Sequence, residues 1–192
     1  MHGNLFSSGY VVAEMEASAL AWLLFMRVLS IDPSLRGTGF AILEGEGQKV
    51  RAVTYGVVKN APSLLPSGCL VAIHERISDL IREHRPECAA FEGIIYVQSH
   101  RVAITLGAAR GAALLAAAGH GLPIYEYAPR RVKQSVVGRG GADKAQVGFM
   151  VRALLGLTET PSADAADALA IGLTHFQTAA SAARGAVVLE RI

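Results

Sequence analysis

Residues 28–40, which read VLSIDPSLRGTGF, decide how this chain folds. An apolar run ends in Asp32, a Gly-containing turn follows, and a second apolar run extends from Phe40 to Leu43. Residues 48–59 alternate well enough between apolar and polar side chains to indicate a third strand. The pattern therefore predicts a meander of three strands, with Asp32 at the end of the first.

The spacing of apolar residues predicts further helices and strands along the rest of the chain. Apolar residues spaced three and four apart predict an amphipathic helix over 69–84. The remaining pattern predicts strands at 87–92 and 123–127, and helices at 99–118, 129–137, 143–155 and 162–178. Early strands followed by alternating helices and strands predict an α/β domain with a mixed sheet flanked by helices.

Four carboxylates occupy positions where buried strands and a helix should be apolar. They are Asp32, Glu92 at the end of the strand 87–92, and Asp164 and Asp167, three apart on the last helix. Buried acids are unfavourable unless a cation pairs with them. Oxygen-only ligands suit Mg²⁺ or Mn²⁺, and paired ions of this kind support phosphodiester hydrolysis. A metal-dependent nuclease is therefore the leading interpretation of the residues themselves.

Basic residues are concentrated in one segment. The chain has a net charge of +2, whereas residues 129–152 alone carry +5. Such asymmetry favours a polyanionic partner, with nucleic acid as the first candidate and a solvated basic face as the alternative. The basic residues of this segment are Arg130, Arg131, Lys133, Arg139, Lys144 and Arg152.

Composition indicates one globular domain in a reducing compartment. The chain has 192 residues, of which 52% are hydrophobic. Its two cysteines, Cys69 and Cys88, have neither metal-site spacing nor the density of a disulfide scaffold, which predicts a cytoplasmic protein. Residues 1–25 contain an apolar stretch too short to span a bilayer and lack the basic start of a signal peptide. We interpret them as an upstream extension that precedes an ancestral start at Met26, or as a short helix that covers the domain or a partner.

Several polar residues and glycines receive structural interpretations. Gly37 and Gly39 lack a phosphate-loop pattern and indicate a sharp turn between strands. Glu44 lies close to glycines and is interpreted as part of a solvated turn, together with Glu46. Arg110 on the long helix could equally pack against the domain or contact phosphate. No histidine is assigned to catalysis, because metal-bound water is already acidified.

Five segments together resemble the RuvC-type Holliday junction resolvases, and the resemblance covers roughly residues 26–177. The segments are IDPSLRGTGF (31–40), FE (91–92), LGAARG (106–111), YAPRRVKQSVVG (127–138) and ADAADALA (163–170). The resemblance implies a ribonuclease H-like fold with a mixed five-stranded sheet. It also implies a nuclease domain at 26–178, an N-terminal extension at 1–25 and a C-terminal tail at 179–192.

The same resemblance implies Mg²⁺-dependent, symmetric nicking of four-way DNA junctions by a homodimer that acts with a branch-migration helicase complex. Two Mg²⁺ ions per site are expected, with Mn²⁺ as a substitute. The family's acidic tetrad falls on Asp32, Glu92, Asp164 and Asp167. Its basic DNA-contacting positions fall on Lys133 and Lys144, and we add Arg130, Arg131 and Arg139 as candidate DNA contacts.

One position departs from the family pattern. The family often has a Phe a few residues after the catalytic Glu, which wedges into the junction. Here the matching position is Ile95, with Tyr96 next to it. This departure puts the wedge in doubt, or leaves its role shared with Tyr96, which we include among the candidate DNA contacts.

Other functions remain open at this point. One is a different ribonuclease H-like nuclease that acts on RNA–DNA hybrids or recombination ends, which a panel of nucleic-acid substrates would distinguish. Another is a non-catalytic junction-binding module, against which the four intact acids argue. An actin-like phosphotransferase would need two such domains, which 192 residues cannot hold.

Overall fold

The computed structural model describes residues 25–46, 49–94, 99–186 and 188–192. Its five strands form one sheet in the order β3-β2-β1-β4-β5. The strands β1, β2 and β3 are antiparallel neighbours, whereas β4 runs parallel to β1 and β5 runs parallel to β4. This confirms the predicted meander and mixed sheet. The strands are β1 Met26–Asp32, β2 Gly37–Glu46, β3 Lys49–Lys59, β4 Cys88–Glu92 and β5 Ile124–Tyr127.

The described residues contain five helices, all at predicted positions. The two helices α1 and α2 pack on one face of the sheet, and α3, α4 and α5 pack on the other. Parallel strands need a crossover connection, and α1 provides it between β3 and β4. The helices are α1 Pro66–His84, α2 His100–Gly119, α3 Pro129–Val137, α4 Lys144–Leu155 and α5 Ala163–Ala183.

Alternation along the central strands assigns their side chains to these two faces. In β1, Leu29 and Ile31 belong to the core on the α1 and α2 side, whereas Val28 belongs to the core on the α5 side. Because the side-chain period of a strand is two, Asp32 lies on the same face as Val28. The carboxylate that ends β1 therefore faces α5.

The predicted sharp turn at Gly37 and Gly39 is wrong, because both glycines belong to β2. Their role is to allow α5 to approach the strand. A Cβ at Gly39 would overlap with the backbone carbonyl of Asp164, and a Cβ at Gly37 would lie 2.8 Å from the Asp164 side chain. The same holds further along α5, where a Cβ at Gly172 would lie 2.8 Å from the Ser30 hydroxyl.

The predicted solvated turn at Glu44 is also wrong. Glu44 lies within β2 and is 2% exposed. Its carboxylate accepts hydrogen bonds from Arg27, at 2.9 and 2.5 Å, and forms an ion pair with Arg51. Two arginines on neighbouring strands compensate the buried charge, which is the condition under which a carboxylate is tolerated inside a fold.

The last helix is longer than predicted. It continues to Ala183, and Ala179, where the tail was expected to begin, is buried. Beyond it, the backbone amide of Ile192 donates to the Ile124 carbonyl at 3.1 Å, so the C-terminal residues pair with the edge strand β5. His175 lies on the buried face of α5 and is 1% exposed.

The helix α2 is apolar on more than one face. By length and composition alone it could cross a membrane, with a mean hydropathy of 1.6. Its small residues Ala109, Ala113, Ala116 and Ala117 nevertheless pack into the core of the domain. We therefore attribute the hydropathy to an inward face that packs on the sheet and an outward face that is still exposed.

Candidate active site

Asp32 and Glu92 end two adjacent parallel strands at the centre of the sheet. The β1–β4 register pairs Ile31 with Phe91, so the next residues along each strand are the two acids. In β4, Cys88 and Ala90 belong to the core on the α5 side, and alternation places Glu92 on that side as well. Both carboxylates therefore lie on the same face, side by side, and both are partly buried.

The first turn of α5 brings Asp164 and Asp167 to these strands. The side chain of Asp164 lies over Gly37, and its backbone carbonyl lies over Gly39, the partner of Asp32 in the β1–β2 ladder. Residues three apart on a helix share a face. Alanines surround both acids in the sequence ADAADALA, and their small size allows the helix to lie close to the sheet.

Burial and the neighbouring acids raise the proton affinity of Asp32 and Glu92. Burial, followed by the charges of Glu92 and Asp167, raises the pKa of Asp32 from 3.8 to about 7. Burial, with the charge of Asp167 next, also raises the pKa of Glu92. These effects show that negative charge accumulates at the ends of β1 and β4 in excess of the positive charge nearby.

Two lysines supply part of the missing positive charge. Lys144, the first residue of α4, donates from Nζ to Asp167 Oδ2 at 2.9 Å. This hydrogen bond and the charge of Asp167 raise the pKa of Lys144. The charge of Lys133 on α3 offsets part of the rise in the pKa of Glu92. Both predicted DNA-contacting lysines thus lie beside the acidic site.

The residues fit a divalent cation by donor chemistry and by charge. Carboxylate oxygens are the preferred ligands of Mg²⁺ and Mn²⁺. Within the described ranges, no three acidic, histidine or cysteine side chains form a group tight enough to hold one ion as they stand. Lys144 occupies one side of Asp167 instead, so binding a cation requires this ion pair to open and the carboxylates to draw together.

The other predicted DNA contacts are exposed on the surface or lie outside the described residues. Arg130 and Arg131 are exposed on α3, and Arg139 is exposed in the turn that follows it. Asp143 caps α4 by accepting from the Gln146 amide at 2.8 Å, which places Lys144 in the first turn of that helix. The prediction for Tyr96 falls outside the described ranges.

Arg110 packs against the domain, which answers the question that the sequence left open. Its side chain is 11% exposed, donates to the Glu92 carbonyl at 2.6 Å, and forms an ion pair with Glu126. Sequence reasoning gave no role to Glu126. The one available signal was its position in β5, which the strand pattern places beside β4.

Comparison with known proteins identifies the family to which this sequence is similar. The sequence profile of the family described as "Crossover junction endodeoxyribonuclease RuvC" matches residues 28–175. A protein of that name from Akkermansia muciniphila is 56% identical over 154 residues, which are 80% of this chain and 92% of the relative. Another from Edwardsiella ictaluri is 42% identical over 157 residues, covering 82% of this chain and 90% of the relative.

Two solved protein structures are also similar to this chain. The structure described as "T. thermophilus RuvC in complex with Holliday junction substrate" superimposes with a TM-score of 0.78 at 36% identity, covering 87% of this chain and 99% of that one. The yeast mitochondrial resolvase Ydc2 superimposes with a TM-score of 0.59 at 15% identity, which shows a shared fold.

Proposed function

This chain belongs to the RuvC family of crossover junction endodeoxyribonucleases, and we propose that it cuts four-way DNA junctions at the site formed by Asp32, Glu92, Asp164 and Asp167. The observation that carries this assignment is the grouping of the acids: Asp32 and Glu92 end adjacent parallel strands on one face of the sheet, and Asp164 of α5 lies against β2 beside them. So much uncompensated negative charge is suited to binding cations rather than to stabilising the fold. The chain is thus a metal-dependent nuclease of DNA recombination and repair, and the domain that does this work is 26–178.

All four acids have a part in the proposed site. Asp32, Glu92, Asp164 and Asp167 would together hold two Mg²⁺ ions through their carboxylate oxygens. When bound, Mg²⁺ supplies an acidified water for attack and stabilises the leaving 3′ oxygen, which yields a 5′-phosphate product. Mn²⁺ would serve as well, because its ligand preference is the same.

The basic residues would hold the phosphate backbone next to the acids. Lys133 and Lys144 flank the carboxylates, and Arg130, Arg131 and Arg139 extend the positive surface along α3 and the turn after it. Contacts to phosphate position a duplex but carry no sequence information. We therefore assign these residues to junction affinity and leave cleavage preference to other parts of the chain, among them Tyr96.

The test of the site is Asp32→Asn, with Asp79→Asn on the exposed surface of α1 as the matched control. Asp32→Asn should abolish cleavage of a mobile four-way junction in Mg²⁺ while junction binding persists, because affinity comes from the basic surface. Asp79→Asn should cut as wild type does. Near wild-type cleavage by Asp32→Asn would show the assignment to be wrong.

A substrate panel tests the junction specificity separately. Four-way junctions, duplex DNA, RNA–DNA hybrids and single strands should be compared at equal concentration in Mg²⁺. Paired, symmetric nicks in the junction and little cutting of the others are expected. Preferred cutting of hybrids would favour another ribonuclease H-like activity, and junction binding without cutting would favour a binding module.

We also propose that the chain works as a homodimer through the outward face of α2. A four-way junction presents two equivalent strands, and a two-fold dimer presents two equivalent sites. Ile104 and Leu115 are 74% and 64% exposed, and the small residues Ala108 and Gly111 lie between them on the same face. With Val71 of α1 they form an apolar surface that a second copy would cover.

Light scattering at micromolar concentration tests the dimer. A mass near twice 20.2 kDa is expected. Ala108→Glu places a charge at the centre of the apolar surface and should give the monomer, whereas Ala153→Glu, exposed on α4 at the other side of the sheet, should not. A dimer that survives Ala108→Glu would move the interface elsewhere and leave the nuclease assignment standing.

The cellular setting follows from the same family membership. The relatives are bacterial proteins that act on DNA. We propose that this chain acts in the cytoplasm, without a membrane, and together with a branch-migration helicase complex. Co-purification with such a complex on junction DNA would test the partnership.

A further inference from the structure

We propose that Arg110 and Glu126 are positioning residues that hold Glu92 from the opposite face of the sheet. This inference rests on the proposed role of Glu92 as a metal ligand. Neither residue faces the acidic site. Together they fix the main chain at the point where the acid leaves β4, and so they set the direction of its side chain.

The two faces of the sheet separate the acid from its support. Glu92 faces α5, as Cys88 and Ala90 do. In β5, Ile124 belongs to the core on the α1 and α2 side, and alternation places Glu126 on that side too. Arg110 reaches the strand from α2, which packs on the same side.

The peptide unit that joins Glu92 to Gly93 is held at both of its polar ends. Arg110 Nη1 donates to the Glu92 carbonyl at 2.6 Å, and the Gly93 amide donates to the Tyr127 carbonyl at 2.9 Å. The β1–β4 ladder ends at Ile31 and Phe91, so beyond it the carbonyl takes a side-chain donor. Because a peptide unit is planar, fixing both ends fixes its orientation. The pairing of Phe91 with Glu126 in the β4–β5 ladder holds the preceding peptide unit, so the Cα–Cβ direction of Glu92 is set from both sides.

Arg110 itself has little freedom to move. Its second terminal nitrogen forms an ion pair with Glu126, and its guanidinium lies 5.4 Å from the centre of the Phe91 ring. Glu126 in turn lies against the backbone of Gly93, where a Cβ would come within 2.6 Å of Glu126 Oε1. The planar guanidinium fork thus links a carbonyl and a carboxylate on adjacent strands, a geometry that a lysine cannot reproduce.

This arrangement accounts for Arg110 without a role in DNA binding. Both terminal nitrogens are engaged within the domain, and the side chain is largely buried. It also lies on the face of the sheet opposite the acids. Loss of Arg110 should therefore affect the response to metal ions rather than the affinity for the junction.

The test compares Arg110→Gln, Arg110→Lys and Glu126→Gln with wild type, and uses Arg82→Gln, which removes an exposed ion pair with Asp79, as the matched control. Three quantities are measured: the Mg²⁺ concentration for half-maximal cleavage, junction affinity in EDTA, and hydrogen exchange of residues 88–94 in metal-free protein. Groups that orient metal ligands typically affect metal affinity or activity by about 10- to 100-fold.

Arg110→Gln should raise the half-maximal Mg²⁺ concentration by about tenfold or more, speed exchange at residues 88–94, and leave junction affinity within about twofold. Arg110→Lys should do the same to a smaller extent. Glu126→Gln keeps an acceptor for Arg110 and should have the smallest effect, and Arg82→Gln should have none. Unchanged Mg²⁺ dependence and exchange in Arg110→Gln, or an equal fall in junction affinity and cleavage, would overturn the proposal.

The exchange experiment needs neither metal nor DNA, so it separates this inference from the proposed function. Faster exchange at residues 88–94 in Arg110→Gln supports the positioning role of Arg110 even if Asp32→Asn still cuts DNA. Conversely, if Asp32→Asn abolishes cleavage but exchange is unchanged in Arg110→Gln, the positioning role is wrong and the nuclease site stands.

Discussion

Lys144 Nζ lies 2.9 Å from Asp167 Oδ2, so one of the two acids on α5 is paired with a cation from the protein itself. The lysine side chain is 69% exposed, which leaves it free to turn toward solvent or phosphate. An exposed ion pair of this kind contributes at most about 1 kcal/mol. The pair is therefore weak enough for a divalent cation and a DNA strand to separate its members.

Replacing either flanking lysine should weaken junction binding in a salt-dependent way. Each of Lys133→Ala and Lys144→Ala should flatten the dependence of log affinity on log salt by roughly one unit of slope. The order of preferred cleavage sites should not change, because phosphate contacts do not read bases. Binding isotherms in EDTA at several salt concentrations measure the slope. Arg82→Ala on α1 is the control, and an unchanged slope would remove that lysine from the interface.

Without divalent metal, the contribution of Asp32 to the stability of the fold should fall as the pH rises from 4 to 7. The folded pKa of Asp32, about 7, lies above its ordinary value of 3.8, so the folded state binds the proton more tightly than the unfolded state. The stability gained from that proton is complete at low pH and is lost as the pH rises toward 7. Asp32→Asn should therefore exceed wild type at pH 8 by roughly 2–4 kcal/mol.

Chemical denaturation in EDTA, at pH 5 and pH 8, measures this difference. Adding Mg²⁺ to wild type at pH 8 should recover much of the lost stability, because a ligand that binds only the folded state stabilises it. If Asp32→Asn and wild type show the same stability at both pH values, then burial and the charges nearby do not raise the pKa of Asp32 as proposed.

His175 should destabilise the fold as the pH falls, which is opposite to the effect of Asp32. Burial lowers the pKa of His175 from 6.5 to about 4, and its Nδ1 lies within hydrogen-bonding distance of the Tyr127 hydroxyl, at 2.7 Å. Between pH 6.5 and 4, His175 binds a proton in the unfolded state but not in the folded state, so stability falls as the pH falls. In wild type, protonation of Asp32 compensates for this loss over the same pH range. In Asp32→Asn the free energy of unfolding should therefore fall by roughly 2–3 kcal/mol between pH 7 and pH 4.

Gly39→Ala should damage both the fold and the site. The added methyl would overlap with the Asp164 carbonyl and push the start of α5 away from β2. Overpacking of this kind costs about 1–3 kcal/mol, and the displacement separates Asp164 from Asp32. Gly119→Ala, where the added methyl has open space around it, is the control. Thermal unfolding and junction cleavage should both be impaired in the first variant and neither in the second.

The sequence predicts the order of elements because each strand and helix has its own local period. The meander also predicts that Asp32 and Glu92 lie side by side, since β1 and β4 are both central and buried. The boundaries of α5 were less accessible to prediction. Its extension to Ala183 depends on contacts with the sheet that an alanine-rich sequence does not reveal.

Two residues escaped correct prediction for a common physical reason. Glu44 lies next to glycines that indicate a turn, but Arg27 and Arg51 on neighbouring strands make its burial possible. Arg110 was equally compatible with packing and with phosphate contact, because its partners Glu92 and Glu126 become neighbours only in the folded sheet. Long-range pairing of charges leaves no local pattern in the sequence.

The close approach of α5 to the sheet has a consequence for how this enzyme responds to heat. Gly39 and Gly172 leave no space between helix and strands over more than two turns of α5. Two of the acids are carried by the helix and two by the strands, so the active site depends on this packing. We therefore expect catalytic competence and the folded core to be lost together, with the same midpoint for thermal inactivation and for unfolding.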